Sequence, residues 1–440
     1  MNYINKLLYS GSTYLYFFII LFSIFIYLFE FYLIDNTFNN FWCVEVKNDF
    51  NLPILGDIKL PIHCDEGPYF KASTNLDYFL SDQNPYQKRP LWIGLIALVN
   101  TCISFIANSF FTEYEIIRIS YIFIQLNLLF VISKLLFLIL KLDLKNFTHY
   151  LPISVLLLFP NIRWNILFPS HENLTIAALL MTLYVMTNNT QAGIKNKYIY
   201  LIFGILTLAH RSFLIYGLLI FFYELFPIEK LINSIKKLFY LISPYLFYET
   251  LFISFSVDSF DWNKNNYQQF YWIYNRISGK DTINEQEFCQ TFATFFKCNI
   301  SITLNFLSYF MILVIFTSLL FAYNAFYKSG KFGKIKILFY LSSGIYLFWS
   351  LQGWYPNYRF INYSLGYLLT LAYILMVSNY EYKKNAGYTS LILYFLSINY
   401  LEPYSQIDLN LNHITFFSII GFTYYFVSIL RKKGIKFIGN

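Results

Sequence analysis

Charge is scarce in this chain: Asp, Glu, Lys and Arg together supply 13% of its 440 residues, against 57% hydrophobic and 22% aromatic residues. A soluble domain carries about 25% charged residues, so a chain of this length with a water-facing surface all round is excluded. Cysteine is also sparse, with five residues and no Cys-x-x-Cys spacing, which argues against a zinc site. No glycine-rich phosphate loop, internal repeat or soluble domain of any size is visible. The formal net charge of +8 does not point to a nucleic-acid partner, because the Lys and Arg residues sit in short loops between apolar runs rather than in a stripe.

What the chain has is apolar runs long enough to cross a membrane. By the length criterion of about 17–25 residues, spans are expected at 14–34, 92–111, 119–140, 172–186, 238–256, 302–321, 337–351, 360–376, 388–400 and 414–430, several of them near the lower limit. Lys195, Lys197, Lys230, Lys236, Lys237, Lys328, Lys331, Lys334, Lys336, Lys383, Lys384, Arg431, Lys432, Lys433 and Lys436 occupy the intervening short loops and mark the cytoplasmic side. Both termini then lie inside, and two long loops, 35–90 and 257–301, face the opposite side. The first run lacks a small-residue cleavage site behind it and is expected to be a retained helix. The expectation is an all-α, polytopic bundle of about ten spans, one membrane domain over 1–440, in the inner (plasma) membrane of a bacterium. The excess of Ile, Asn, Lys, Tyr and Phe matches an AT-rich coding sequence, so the sequon Asn173-Leu174-Thr175 carries no weight.

Two segments depart from simple crossings. The run 151–160 would make only about 15 Å of helix against a core of about 30 Å, so it is expected to be a half-helix. It would keep Arg163, His171 and Glu172 on the outer side. The run 199–223 is interrupted by His210-Arg211; two half-helices turning there keep Lys230, Lys236 and Lys237 inside, as the charge rule requires. Residues 226–238 alternate apolar and charged residues in the manner of a helix lying on the cytoplasmic surface. Cys43 and Cys64 fall in the first outer loop and Cys289 and Cys298 in the second. Pairing within each loop is expected in an oxidising compartment, while Cys102 lies within a span.

The outer loops hold the residues that could do chemistry. Cys64-Asp65-Glu66-Gly67-Pro68-Tyr69 places two carboxylates at the membrane surface, although Gly67-Pro68 would also suit a solvated turn. A sugar carried on a polyprenyl phosphate would need a carboxylate to deprotonate an acceptor hydroxyl and cations to stabilise the departing phosphate. Asp65 or Glu66 could serve as base. Lys88, Arg89, Arg163, Arg211 and Arg359 could bind phosphate, with Arg favoured for bidentate contact. His171 could contact substrate or cap the helix that follows it, and Arg89 could simply snorkel to head groups.

Asp65-Glu66 with an aromatic shortly after, Lys88-Arg89-Pro90-Leu91 ahead of the second span, Glu115 and Arg118 opening the third, and the turn from Pro160 to Glu172 together resemble the GT-C glycosyltransferases. That family includes protein O-mannosyltransferases, aminoarabinose transferases and many bacterial polysaccharide enzymes. The resemblance covers roughly 14–225, and more loosely Tyr355 to Phe360 with Tyr355 and Arg359; the break at His210-Arg211 is similar to the family's paired half-helices. It implies Asp65 as catalytic base with Glu66 second. It places Arg163, His171 and Glu172 in the second outer loop, where metal-dependent relatives keep acidic ligands. Glu172 beside a His is a poor copy of an acidic metal pair, so neither a metal nor another cofactor is expected. The implied partners are a polyprenyl-phosphate sugar, a glycan, lipid or protein acceptor, and membrane lipid. An O-antigen polymerase or ligase, which would not need Asp65 or Glu66, and a lipid-linked oligosaccharide flippase or other transporter are the rival readings.

Overall fold

The computed structural model describes residues 12–32, 44–52, 56–63, 66–80, 85–159, 162, 165–166, 170–188, 198–210, 212–225, 231–254, 311–327, 333–352, 357–381, 383–397 and 411–432. Among these the chain is a helical bundle. The helices are α1 Ser12–Tyr32, α2 Glu66–Thr74, α3 Leu76–Leu80, α4 Pro90–Ala107, α5 Glu113–Leu140, α6 Tyr150–Leu157, α7 Glu172–Asn188 and α8 Tyr198–Leu206. They continue with α9 Phe213–Leu225, α10 Leu231–Ser254, α11 Met311–Tyr327, α12 Gly333–Gln352, α13 Asn357–Ser378, α14 Lys384–Ser397 and α15 Leu411–Lys432. One feature of the first long loop is not helical: β1 Val44–Leu52 pairs antiparallel with β2 Gly56–His63, with a register shift between Lys47 and Phe50.

α5 is the axis of the bundle, with α1, α4, α6 and α7 packed around it. Its sequence defines both ends. Thr112 accepts from the Glu115 amide at 3.3 Å while the Glu115 carboxylate accepts from the Thr112 amide at 2.7 Å, a capping box. At the other end Lys141 turns left-handed at φ 55°, and the Leu142 amide reaches back to the Phe137 carbonyl at 2.9 Å, the paired-bond termination usually built on glycine. Lys334 on α12 adds a bond to the Ile139 carbonyl at 2.6 Å, satisfying another of the carbonyls the helix end leaves free.

Two helices among the described residues, α4 and α5, are long and apolar enough to cross a membrane. The outer faces of other helices are equally greasy. Phe105 on α4 is 93% exposed and Phe339 on α12 75%, and Phe17, Phe239, Phe247, Phe416 and Phe417 also face outward.

The broken segment is resolved into α8 and α9, which double back on each other. Tyr200 near the start of α8 donates to Glu224 near the end of α9 at 2.5 Å, and Lys237 of α10 pairs with the same carboxylate at 2.5 Å. The hairpin tip therefore lies at residues 207–212. Likewise α6 stops after eight residues, about 12 Å of helix. The expected surface helix over 226–238 is not a separate element: residues 231–238 are the first turns of the continuous α10, where Ile235 is 58% exposed. Residues 226–230 lie outside the described set.

α8 approaches α10 closely because Gly204 carries no side chain: a Cβ there would stand 2.5 Å from the Leu241 carbonyl and 2.9 Å from Pro244 Cγ. Pro244 lacks the amide that would otherwise bond the Tyr240 carbonyl, and Gly204 lies against that carbonyl as well, its Cβ position 2.9 Å away. Gly204→Val should therefore force α8 off α10. A loss of at least the 1–3 kcal/mol typical of overpacking, roughly, is expected as a lower thermal midpoint of the full chain in detergent. An unchanged midpoint would contradict this packing.

Candidate anion site at the hairpin tip

The hairpin tip, the turn ahead of α4 and the turn ahead of α7 meet at one end of the bundle. A backbone bond from the Leu91 amide to the Leu208 carbonyl, 3.1 Å long, joins the first two. The His171 and His210 rings, stacked with centroids 4.3 Å apart, join the tip to α7. Tyr248 on α10 donates to the Gln87 carbonyl at 2.7 Å and fixes the turn ahead of α4 from another side. Helix N-termini of α4, α7 and α9 thereby converge, each bringing the positive end of its dipole.

Among the described residues, Arg89 is the cation of this site. It immediately precedes Pro90, whose ring is suited to a first helical position. The Arg89 guanidinium lies 5.7 Å from the Tyr69 ring centroid and 5.8 Å from that of Tyr86. Its Nη1 donates to the Tyr69 hydroxyl, and the two rings meet edge to face at 4.6 Å. Such a cation–π cradle fixes the guanidinium and leaves its charge in place. Among the described residues no carboxylate pairs with it. Arg89 is thus half-buried between rings rather than extended to the surface as a snorkelling residue would be.

His171 is 5% exposed, and neither of its ring nitrogens has a hydrogen-bond partner among the described residues. It stacks on His210 and does not cap α7, which corrects the capping alternative; the amide of Thr175 bonds its backbone carbonyl at 3.2 Å instead. His210 is oriented differently. Its Nδ1 lies 2.6 Å from Ser212 Oγ and accepts from the Ser212 amide at 3.3 Å, which assigns the ring proton to Nε2. Burial first, then the neighbouring His210 ring and the Arg89 guanidinium, hold His171 well below the ordinary imidazole range, so it is neutral at pH 7. A buried polar atom left unpaired costs about 1–3 kcal/mol.

Behind the two histidines runs an amide network. Gln125 on α5 donates to the Ser170 carbonyl at 2.7 Å and accepts from Asn173 at 3.0 Å. Asn165 donates to Glu172 at 2.8 Å, and Ser170 Oγ donates to Asn165. Within the first turn of α7, Asn173 Oδ1 and Thr175 Oγ1 remain without partners among the described residues. Glu115, Arg118, Tyr121 and Gln125, all buried, recur at spacings that put them on one face of α5. They carry a polar stripe from the start of that helix toward the network.

Of the residues expected from sequence, Arg89, His171 and Glu172 come together here. Glu66 begins α2, three residues before Tyr69. Lys88 closes the short turn ahead of α4 and Arg359 lies in the first turn of α13; the side chains of Glu66, Lys88 and Arg359 are outside the described set. Asp65, Arg163, Arg211 and Tyr355, together with Cys43, Cys64, Cys289 and Cys298, also lie outside the described residues or side chains. Cys102 is a free, exposed thiol on α4. Sequence reasoning overlooked Tyr69, Tyr86, His210 and Gln125 as site residues. A lone Gln in the long apolar run of α5 was the available signal for one of them. No group of three or more His, Cys, Asp or Glu able to hold a metal occurs among the described residues. Comparison with protein-family models, with curated proteins and with solved structures finds no match.

The depressed His171 has a pH consequence. In the unfolded chain it titrates near the ordinary value of about 6.5, whereas in the fold it stays neutral to lower pH. The unfolded state therefore binds more protons below about pH 6.5, and stability falls as pH drops through that window. The thermal midpoint of the full chain is expected to fall between pH 7 and pH 5, and to fall less in His171→Phe, which keeps the ring stack. Parallel slopes would remove His171 as the cause.

Proposed function

We propose that this chain is an integral membrane glycosyltransferase of GT-C type that moves a sugar from a polyprenyl-phosphate donor to a glycan, lipid or protein acceptor at the outer face of the membrane. The observation that carries the reading is Arg89, a half-buried guanidinium with no carboxylate partner among the described residues, beside the unpartnered His171. Three helix N-termini face the same region, and together these features favour an anion. The greasy exterior of α4, α10, α12 and α15 supports a lipid setting, and the α8–α9 hairpin supports a break at depth of the kind tolerated only inside protein.

In this reaction the acceptor hydroxyl oxygen bonds to the anomeric carbon from the face opposite the phosphate, inverting it. Asp65 takes the hydroxyl proton, with Glu66 the second choice. The carbon–oxygen bond to phosphate breaks, and its electron pair leaves on the prenyl phosphate, which departs with one more negative charge. Arg89 stabilises that charge, with Lys88, Arg163, Arg211 and Arg359 as further cations of the outer face.

Asp65→Asn is expected to lower transfer by about 10²–10⁴-fold, the usual contribution of a positioned base, and Arg89→Gln by about 10²-fold. The check is complementation of a deletion strain at matched membrane levels, with surface glycans profiled by mass spectrometry. Loss of one defined sugar in Asp65→Asn or Glu66→Gln supports the transferase. Full activity in both would remove the catalytic assignment and move the O-antigen polymerase or ligase and the flippase readings ahead.

A further inference from the structure

We infer that the turn ahead of α7 is a proton-linked phosphate site, in which a phosphate monoester bound between Arg89 and the first turn of α7 is accompanied by uptake of a proton on His171. The inference rests on the transferase reading for the identity of the ligand, a prenyl phosphate, and goes beyond it by assigning His171 a role that the sugar transfer itself does not require.

The geometry carries it. His171 is almost fully buried, and both its nitrogens are unpartnered among the described residues. A side chain with two hydrogen-bonding atoms unused among the described residues, next to a guanidinium that no described carboxylate neutralises, has the complement of an anionic oxygen. The charged and titratable groups around it are, among the described residues, the following. Arg89 stands at the turn ahead of α4, with Tyr69 and Tyr86 behind its guanidinium. His210 projects from the hairpin tip, its Nδ1 lone pair already engaged by Ser212. Glu172 follows His171 on α7 and is held by Asn165. Because His210 is committed at Nδ1, His171 is the ring free to accept a proton.

Without ligand, burial first and then the neighbouring His210 ring and Arg89 guanidinium keep His171 neutral. A phosphate dianion reverses that balance: protonated His171 can then donate to a phosphate oxygen instead of opposing Arg89. By linkage, the same interaction that raises the affinity of His171 for a proton raises the affinity of the site for the dianion as pH falls. The departing prenyl phosphate carries one more charge than the donor. The site therefore holds the product more tightly at low pH and releases it more readily as pH rises.

The test uses the full chain in detergent and two probes, a short-chain prenyl monophosphate and inorganic phosphate, titrated calorimetrically at pH 7.5 in buffers of different ionisation enthalpy. At that pH a phosphate monoester is already largely dianionic, so proton uptake belongs to the protein. Wild type is expected to bind the prenyl probe with uptake of about one proton, and its apparent Kd to rise up to tenfold per pH unit above 7.5. His171→Asn and His171→Gln should bind more weakly with no uptake, while His210→Asn should retain it. Uptake with both probes identifies free phosphate chemistry, and uptake with the prenyl probe alone identifies the lipid-linked ligand. Binding without proton uptake in wild type, uptake persisting in both His171 variants, or no binding of either probe overturns the inference. Sugar transfer assayed on the same preparation reports separately on the transferase reading. Normal transfer with pH-independent binding removes only the proton link, and proton-linked binding without transfer removes only the enzyme.

Discussion

The constraint on which the bundle depends is the disposal of backbone polar groups where a helix breaks inside an apolar interior. At residues 207–212 the ladder of α8 ends, and its freed groups must find partners without water. The local turns take several: Ala209 and His210 amides both bond the Leu206 carbonyl, at 2.8 and 3.3 Å, and the Phe213 amide bonds the His210 carbonyl at 3.0 Å. Thr207 Oγ1 adds a bond to the Gly204 carbonyl at 2.5 Å. The Leu208 carbonyl is left over, and it is the Leu91 amide of α4 that reaches it. That single bond docks the hairpin tip on the start of the second helix of the core. The same contact places His210 and Arg89 at one end of the bundle. Folding and site assembly thus share one solution.

Polar residues deeper in the bundle obey the same rule. Gln125 is 1% exposed and Asn173 fully buried, on two helices rich in Ile and Leu, and Asn173 donates to Gln125 at 3.0 Å. Removing one partner of such a pair strands the other, which costs more than the bond is worth. The network therefore fixes the register of α7 against α5. In doing so it holds His171 against His210, since both histidine neighbours, Ser170 and Glu172, are members of it.

Much of this was legible in the sequence, and what was not has a physical reason. Apolar run length set the helices: the expected spans 119–140 and 172–186 correspond to Glu113–Leu140 and Glu172–Asn188, and the short run ahead of Pro160 and the break at His210-Arg211 were both visible as interruptions. The extra turns of α5 come from its capping box, whose Thr112 and Glu115 lie outside the apolar run and so outside a hydropathy reading. The β-hairpin of the first loop was missed because a loop in a greasy chain was read only for charge. In the site, Arg89 was found by its sign. Tyr69 and Tyr86 were not, because one Tyr among 41 carries no signal until the fold brings two of them around a guanidinium. His210 was read as the marker of a break and not as the neighbour of His171, for the stacking partner lies 39 positions earlier, by the numbering of the two residues.

The convergence of helix ends brings positive dipole ends to this corner. α4, α7 and α9 begin here, and each start leaves amides without intrahelical partners. α8 ends at the same place and contributes carbonyls, but the docking bond from Leu91 and the turn bonds at Leu206 consume several of them. At α4 the first residue is a proline with no amide to offer, so the positive potential there is supplied by Arg89 in place of backbone donors. At α7 Glu172 in the first turn would oppose an incoming anion, yet its carboxylate is drawn aside by Asn165. The result is a buried corner with a fixed guanidinium, a neutral imidazole and, among the described residues, little competing acceptor, and in a medium of low dielectric such an arrangement favours an anion more strongly than surface lysines in water would.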